Sequence, residues 1–338
     1  MKEASFYRKL SGNDVECGLC RHHCLIHDGA RGICCVRENR EGILHTRVYG
    51  SPCTWHVDPI EKKPLYHFFP GSRAFSIATV GCNFKCLHCQ NHEISQLARD
   101  ENRIAGYAMS PKEVVDEARR EGCRSISYTY TEPTIFYEYA FDIATLASQA
   151  GIANNFVTNG YIEEEPLAAL SPFLDAANID LKGFSENFYK KVCGARLEGV
   201  LASIKKHKAL GIWIELTTLV IPGYNDSDEE LRGIARFIAQ DVGIETPWHV
   251  SAFHPTYKLV DSRPTSPETL IRAREIGLQA GLRYVYTGNI PGIDGEHTYC
   301  YNCGKPVIRR RGFIVLDRDI RDGSCAFCGA GIDGIGLG

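Results

Sequence analysis

The feature that most constrains this chain is an alternation, between residues 75 and 288, of short apolar runs with longer amphipathic ones. FSIATV, SISYTY, NNFVT, AANIDL, WIELTTLVI and WHVSAF, with RYVYTG as a further piece, have the length and β-branched or aromatic content of strands. Between them lie helix-like runs such as SPKEVVDEARREG, EYAFDIATLASQAG and LEGVLASIKKHKALG. In the first of these Ser110 stands where a cap is needed, Pro111 fits the first turn and Gly122 follows the end. Six or seven such units in series imply a parallel sheet, because parallel neighbours need helical crossovers. The expected fold is therefore α/β, a full or partial barrel. Chemistry in such barrels gathers at the carboxyl ends of strands, where TYTEP, TNG, DLK and AFHP stand.

Cysteine is the outlying residue, with fifteen in 338. No secretion signal or apolar run of membrane-spanning length is visible, which predicts a cytoplasmic protein without a membrane contact and makes disulfides a weak explanation. Eleven of the fifteen fall at residues 17–34, 82–89 and 300–328, and such grouping suits metal ligation. A formal charge of −3 supplies no basic field for nucleic acid. The three arginines at 309–311 read as a solvated strand edge.

TVGCNFKCLHCQN, residues 79–91, follows the first candidate strand. Cys82, Cys86 and Cys89 supply three thiolates within eight residues. Iron–sulfur clusters usually take four cysteines, so three local ligands leave one iron open, and an open position marks a reactive site. A structural zinc site is the alternative.

This CxxxCxxC at the end of the first strand of a partial barrel resembles the radical S-adenosylmethionine (SAM) superfamily. The resemblance implies a partial (β/α)6-type barrel. It also implies a 4Fe-4S cluster at Cys82, Cys86 and Cys89 whose open iron binds SAM, and one-electron cleavage to methionine and a 5′-deoxyadenosyl radical that abstracts hydrogen from a substrate. His88 takes the position of an aromatic residue near the adenine. Thr131 and Glu132 in TYTEP stand where relatives carry a Gly-Gly-Glu-like motif for the SAM amino group, although both glycines are missing. NIDLKGF resembles the Asp-Leu-Lys segment of glycyl-radical-enzyme activases, which makes Asp180 and Lys182 candidates to flank SAM, with a barrel-mouth salt bridge as the alternative. VIPGYND and AFHP match activase-like segments too, and His254 would approach SAM or its ribose unless it serves as a hydrogen-bonded structural residue.

Cys300, Cys303, Cys325 and Cys328 form two CxxC knuckles, a pattern for tetrahedral zinc, with rubredoxin-like iron a chemical alternative. Cys17, Cys20, Cys24 and Cys34 suffice for another closed site, holding zinc or a second Fe-S cluster, with Cys35 a rival to Cys34. Three segments follow: residues 1–70 as a Cys-rich metal-binding segment, 71–295 as the barrel, and 296–338 as a zinc-ribbon or rubredoxin-like knuckle module. Within the first, DPIEKKPLYHFFPG (58–71) reads as an ordered loop that packs on something.

The whole chain resembles the AmmeMemoRadiSam-system radical SAM proteins, relatives of pyruvate formate-lyase activating enzyme. That likeness implies an electron donor such as flavodoxin or ferredoxin, AMMECR-like and Memo-like partners, and a protein, peptide or small-molecule substrate. The competing reading is a metal-stapled SAM-binding or assembly module without turnover.

Overall fold

Strand order in space follows strand order in sequence, the order produced when each βα unit lays its strand beside the one before it. The computed structural model describes residues 1–290 and 292–338. They form two compact units: Met1–Asp58, Arg73–Asp175 and Val192–Ala195 in the first, and Pro59–Ser72, Ala176–Lys191 and Arg196–Gly338 in the second.

In the first unit the strands are β1 (Thr54–Pro59), β2 (Arg73–Ala78), β3 (Ser125–Tyr128) and β4 (Ala153–Thr158), neighbours in that order. The β2–β3 and β3–β4 pairs are parallel. Every residue of β3 is buried, so its faces do not alternate in polarity; helices cover a parallel sheet on both sides. Helix α1 (Pro111–Arg120) starts with a full capping box, in which Ser110 Oγ accepts from Glu113 N–H and Glu113 accepts from Ser110 N–H. Gly122, at φ +64, ends it as expected. Helix α2 (Tyr137–Gln149) crosses from β3 to β4, and α3 (Glu164–Leu170) follows β4. The amino-terminal residues form two small antiparallel sheets, one of which pairs Tyr7–Lys9, Val15–Cys17 and Leu25–Ile26. They pack on α2: the Phe6 and Tyr137 rings meet edge to face at 5.2 Å, and buried Arg37 pairs with Glu138 at 3.1 Å.

The second unit repeats the scheme with β5 (Ala176–Asp180), β6 (Trp213–Val220), β7 (Trp248–Ala252) and β8 (Val285–Gly288), parallel throughout. Helices α4 (Leu197–Ala209), α5 (Asp228–Phe237) and α6 (Pro267–Gln279) accompany them. The architecture is thus α/β with eight mostly parallel strands. The alternation predicts β2 to β8 but not β1, whose TWHVDP sequence carries little apolar pattern.

Residues 59–72 are built into the second unit. Glu215 of β6 accepts the Tyr66 and His67 amides at 2.9 and 2.8 Å and a bond from His249 at 2.7 Å. His67 also joins the Tyr286 hydroxyl at 2.6 Å. The expectation of an ordered, packed loop holds, and its partners are the polar groups of β6 to β8.

After β8, β9 (Pro306–Arg311) and β10 (Ile314–Arg318) form an antiparallel hairpin. The arginine run is not uniformly solvated, because successive side chains of a strand face opposite ways. Arg309 is half-buried and pairs with Asp317 and Asp319, whereas Arg310 is 2 % exposed, stacks on Tyr66 at 4.3 Å and bonds Thr298 Oγ1 and Tyr66 O, both at 2.8 Å. Among the described residues no helix is long and apolar enough to cross a membrane.

Candidate active site

The loop after β2 carries Cys82, Cys86 and Cys89. Gly81, at φ +106, lets it turn where a Cβ would lie 2.7 Å from Val36 Cγ1. The Lys85 and Leu87 amides bond the Cys193 and Val192 carbonyls at 2.8 and 3.0 Å, fixing the middle of the loop. Cys82 Sγ receives the Phe84 N–H at 3.3 Å and faces the Asn159 amide at 3.8 Å. Burial, and then the Glu132 carboxylate, hold the Cys82 thiol well above its usual range, so ionisation there needs a compensating cation. Cys89 Sγ lies 3.1 Å from Ser95 Oγ, and Cys86 and His88 are buried. Soft thiols with N–H groups directed at sulfur suit an iron–sulfur cluster.

TYTEP leaves β3 beside this loop. Thr131 Oγ1 donates to Thr79 O at 2.8 Å, and Asn91 Nδ2 donates to Tyr130 O at 2.8 Å. Tyr130 sits at φ +64, the left-handed conformation a glycine would adopt freely. A side chain held there costs about 1–2 kcal/mol, so the backbone keeps a glycine-like turn although the glycines are absent. The Tyr130 hydroxyl bonds Asp58, one tie that stabilises this conformation.

Glu132 is 1 % exposed. Its Oε1 accepts from Thr134 N–H (3.0 Å), Thr134 Oγ1 (2.6 Å) and Thr158 Oγ1 (2.7 Å), and its Oε2 accepts from Asn159 N–H (2.8 Å). Burial raises its pKa; the bonds from Asn159, Thr134 and Thr158 oppose that rise. One Oε2 lone pair remains for a further donor. Thr158 and Asn159 were not singled out from sequence, although TNG at the end of a strand was the signal. Asn159 Nδ2 also bonds Asn83 Oδ1 at 2.7 Å, so one asparagine links the cysteine loop to the carboxylate.

Asp180, Lys182 and His254 belong to the second unit. Asp180 ends β5, and Lys182 Nζ pairs with it at 2.7 Å in a half-buried position. Asn225 of the PGYND turn donates to Lys182 O at 2.6 Å and to Leu219 O at 2.9 Å, joining that turn to the DLK segment. His254, past the end of β7, is exposed and its Nε2 lies 3.0 Å from Asn289 O. Both bland expectations, a salt bridge and a backbone-bonded histidine, are thus visible in the geometry.

The outer groups differ from each other. Cys300, Cys303, Cys325 and Cys328 have all four sulfurs within 4.8 Å of one another, with Cys300 to Cys328 at 3.6 Å and Cys303 to Cys325 at 3.8 Å. A tetrahedral ion with metal–sulfur bonds of about 2.3 Å holds sulfurs about 3.8 Å apart, so this set fits one such ion. A backbone bond from Ala330 and then the Asn302 amide bring Cys328 down to about 6, whereas burial pushes Cys300 up to about 11. Cys17, Cys20, Cys24 and Cys34 line one cavity in the first unit. Cys35 does not line it; at φ +62 it turns its thiol toward Ile33 O at 3.6 Å.

Residues 76–238 match the model of the Radical SAM superfamily. The chain is 50% identical over 335 residues to the uncharacterized protein MJ0808 of Methanocaldococcus jannaschii, covering 98% of this chain and 99% of that one. It is 24% identical to the pyruvate formate-lyase 1-activating enzyme of Escherichia coli K12, over 64% of this chain and 93% of the relative. Among solved structures, a radical SAM methyltransferase from Sphaerobacter thermophilus superposes with a TM-score of 0.51 at 16% identity, covering 67% of this chain and 69% of the other, a likeness of fold. With its cysteine loop after the second of eight mostly parallel strands, this chain carries a domain of the Radical SAM superfamily over residues 76–238.

Proposed function

We propose that this chain is a SAM-cleaving enzyme of glycyl-radical-activase type, acting in the cytoplasm on a protein or peptide. Cys82, Cys86 and Cys89 would hold the 4Fe-4S cluster, which supplies one-electron cleavage of SAM to methionine and the 5′-deoxyadenosyl radical that abstracts hydrogen. The observation that carries the reading is the tie from the cysteine loop through Asn159 to the buried Glu132. It is the arrangement expected where a carboxylate must stay fixed beside a cluster and receive an ammonium group. Glu132 and Thr131 take the SAM amino group, His88 lies near the adenine, Asp180 and Lys182 flank SAM, and His254 approaches SAM or its ribose. The Lys182 ammonium, paired with Asp180 at 2.7 Å, exchanges that partner to neutralise the carboxylate of the methionine moiety.

The partners follow from the same reading: flavodoxin or ferredoxin as reductant, and AMMECR-like and Memo-like proteins as members of an AmmeMemoRadiSam system. The closed Cys300 quartet holds zinc in a structural role, and the Cys17 quartet holds a second metal centre. Residues 1–70, 71–295 and 296–338 serve as amino-terminal metal segment, catalytic barrel and knuckle module. The competing reading is a SAM-binding or assembly module without turnover, in which the Asp180–Lys182 pair and the His254–Asn289 bond serve as structural contacts.

The substrate class is tested by offering candidate partner proteins carrying deuterated glycine. Deuterium in 5′-deoxyadenosine supports activase chemistry. SAM cleavage that proceeds with the true partner but leaves the product unlabelled refutes it.

A further inference from the structure

We infer that Cys17, Cys20, Cys24 and Cys34 hold a polynuclear iron–sulfur cluster rather than a single zinc ion. The inference is independent of SAM cleavage, since it uses none of Cys82, Cys86 and Cys89 as ligands.

Spacing is the first argument. Among the described residues, the Cys300 quartet forms a compact ligand group, all four sulfurs within 4.8 Å of one another, and the Cys17 set does not form such a group. One zinc ion draws its thiolates to about 3.8 Å, whereas a cubane places its own irons and sulfides between them. The four thiols nevertheless line one cavity, so they face a common volume from a distance. Its remaining wall includes Leu19, Ile26 and Ile135, which exclude water.

Unused hydrogen-bond donors are the second argument. Arg37, 2 % exposed, lines the cavity, and its Nε and Nη1 are buried without a hydrogen-bond partner. Its Nη2 is engaged by Ser5 O at 2.5 Å and Glu138 Oε1 at 3.1 Å. Asn83, wholly buried, lines the same cavity; its Oδ1 accepts from Asn159 while its Nδ2 has no partner. Buried polar groups are seldom left unpaired, and here the unpaired atoms are all donors at one cavity. A cluster bears inorganic sulfides that accept N–H bonds, and four cysteinates make it a net anion that a buried guanidinium would balance. The Ile33 amide already donates to Cys24 Sγ at 3.5 Å.

The test uses the full chain with Cys82, Cys86 and Cys89 all changed to alanine, purified without oxygen after iron and sulfide supply. The account expects about four irons and four sulfides per chain, a thiolate-to-iron absorption band, and a paramagnetic signal after dithionite reduction. Adding Cys17→Ser and Cys20→Ser should remove the iron and leave the zinc of the Cys300 quartet, with circular dichroism reporting the fold. Should that variant fail to fold, Asn83→Leu in the same triple-alanine background serves instead: iron is retained, and the reduction potential moves to more negative values as a sulfur loses its N–H donor. Two zinc ions per chain with no iron, or iron indifferent to loss of Cys17 and Cys20, would overturn the inference.

Discussion

The two four-cysteine groups outside the central loop have the same ligands and different surroundings. The Cys300 set is drawn together within 4.8 Å on a small hairpin, with Cys303 and Cys328 exposed. The Cys17 set is spread around a cavity, and Cys17 and Cys34 are buried. Burial pushes the Cys34 thiol up to about 12, so an empty cavity would keep it protonated. Ligand count alone therefore says little about the metal; the distance between thiols and the groups behind them say more.

The sharpest contrast concerns the buried arginine in each unit. Arg310 faces Glu61 and is bonded within its own unit, so Arg310→Met should cost about 3–5 kcal/mol in urea unfolding by stranding a buried carboxylate. Arg310→Met with Glu61→Gln should recover most of that loss. Arg37→Met with Glu138→Gln should not recover its loss, because Arg37 also balances the metal centre. Equal recovery in both pairs would break the contrast.

Acid tests the second unit next. Burial lowers His67 and His207 to about 4. Unfolded histidine takes up its proton near pH 6.5, so the stabilisation from each is present above that pH and is lost as pH falls toward 4, by roughly 3 kcal/mol at most. Glu215 adds a loss of the same sign: burial pushes it up, but His249 and His67 outweigh burial and leave it lowered, so its contribution fades as pH falls below the ordinary carboxylate range. Replacing His207 with glutamine should flatten the limb between pH 6.5 and 4 in chemical unfolding measured at stepped pH. An unchanged limb would show that this imidazole is not buried neutral.

Exposure predicts a smaller effect on metal release. A thiol-reactive mercurial should free the Cys300-site metal roughly tenfold faster than the Cys17-site metal, since the latter must wait for local opening. Arg309→Ala is the smallest case. Its partners Asp317 and Asp319 are solvated, and the melting temperature should stay within error.

Periodicity made the parallel strands legible because a covered strand is a continuous apolar run, and α1 was legible to the residue because caps are local chemistry. Residues 59–72 were legible as ordered but not as partners of Glu215, since a bond across about 150 positions leaves no local signal. Within the candidate site the cysteines announce themselves by spacing. Asn83, Asn159 and Asn225 do not, because an asparagine that bolts two loops together looks like any turn residue. The left-handed Tyr130 ran against the sequence, which offered no glycine there.

The most direct test of the central reading is a single-turnover assay of the anaerobically reconstituted, dithionite-reduced chain with SAM, following 5′-deoxyadenosine and methionine. The account predicts both products in equal amounts from the wild type and neither from Cys86→Ala. An intact, reduced cluster at Cys82, Cys86 and Cys89 that binds SAM and releases neither product, with or without candidate partners, would contradict it.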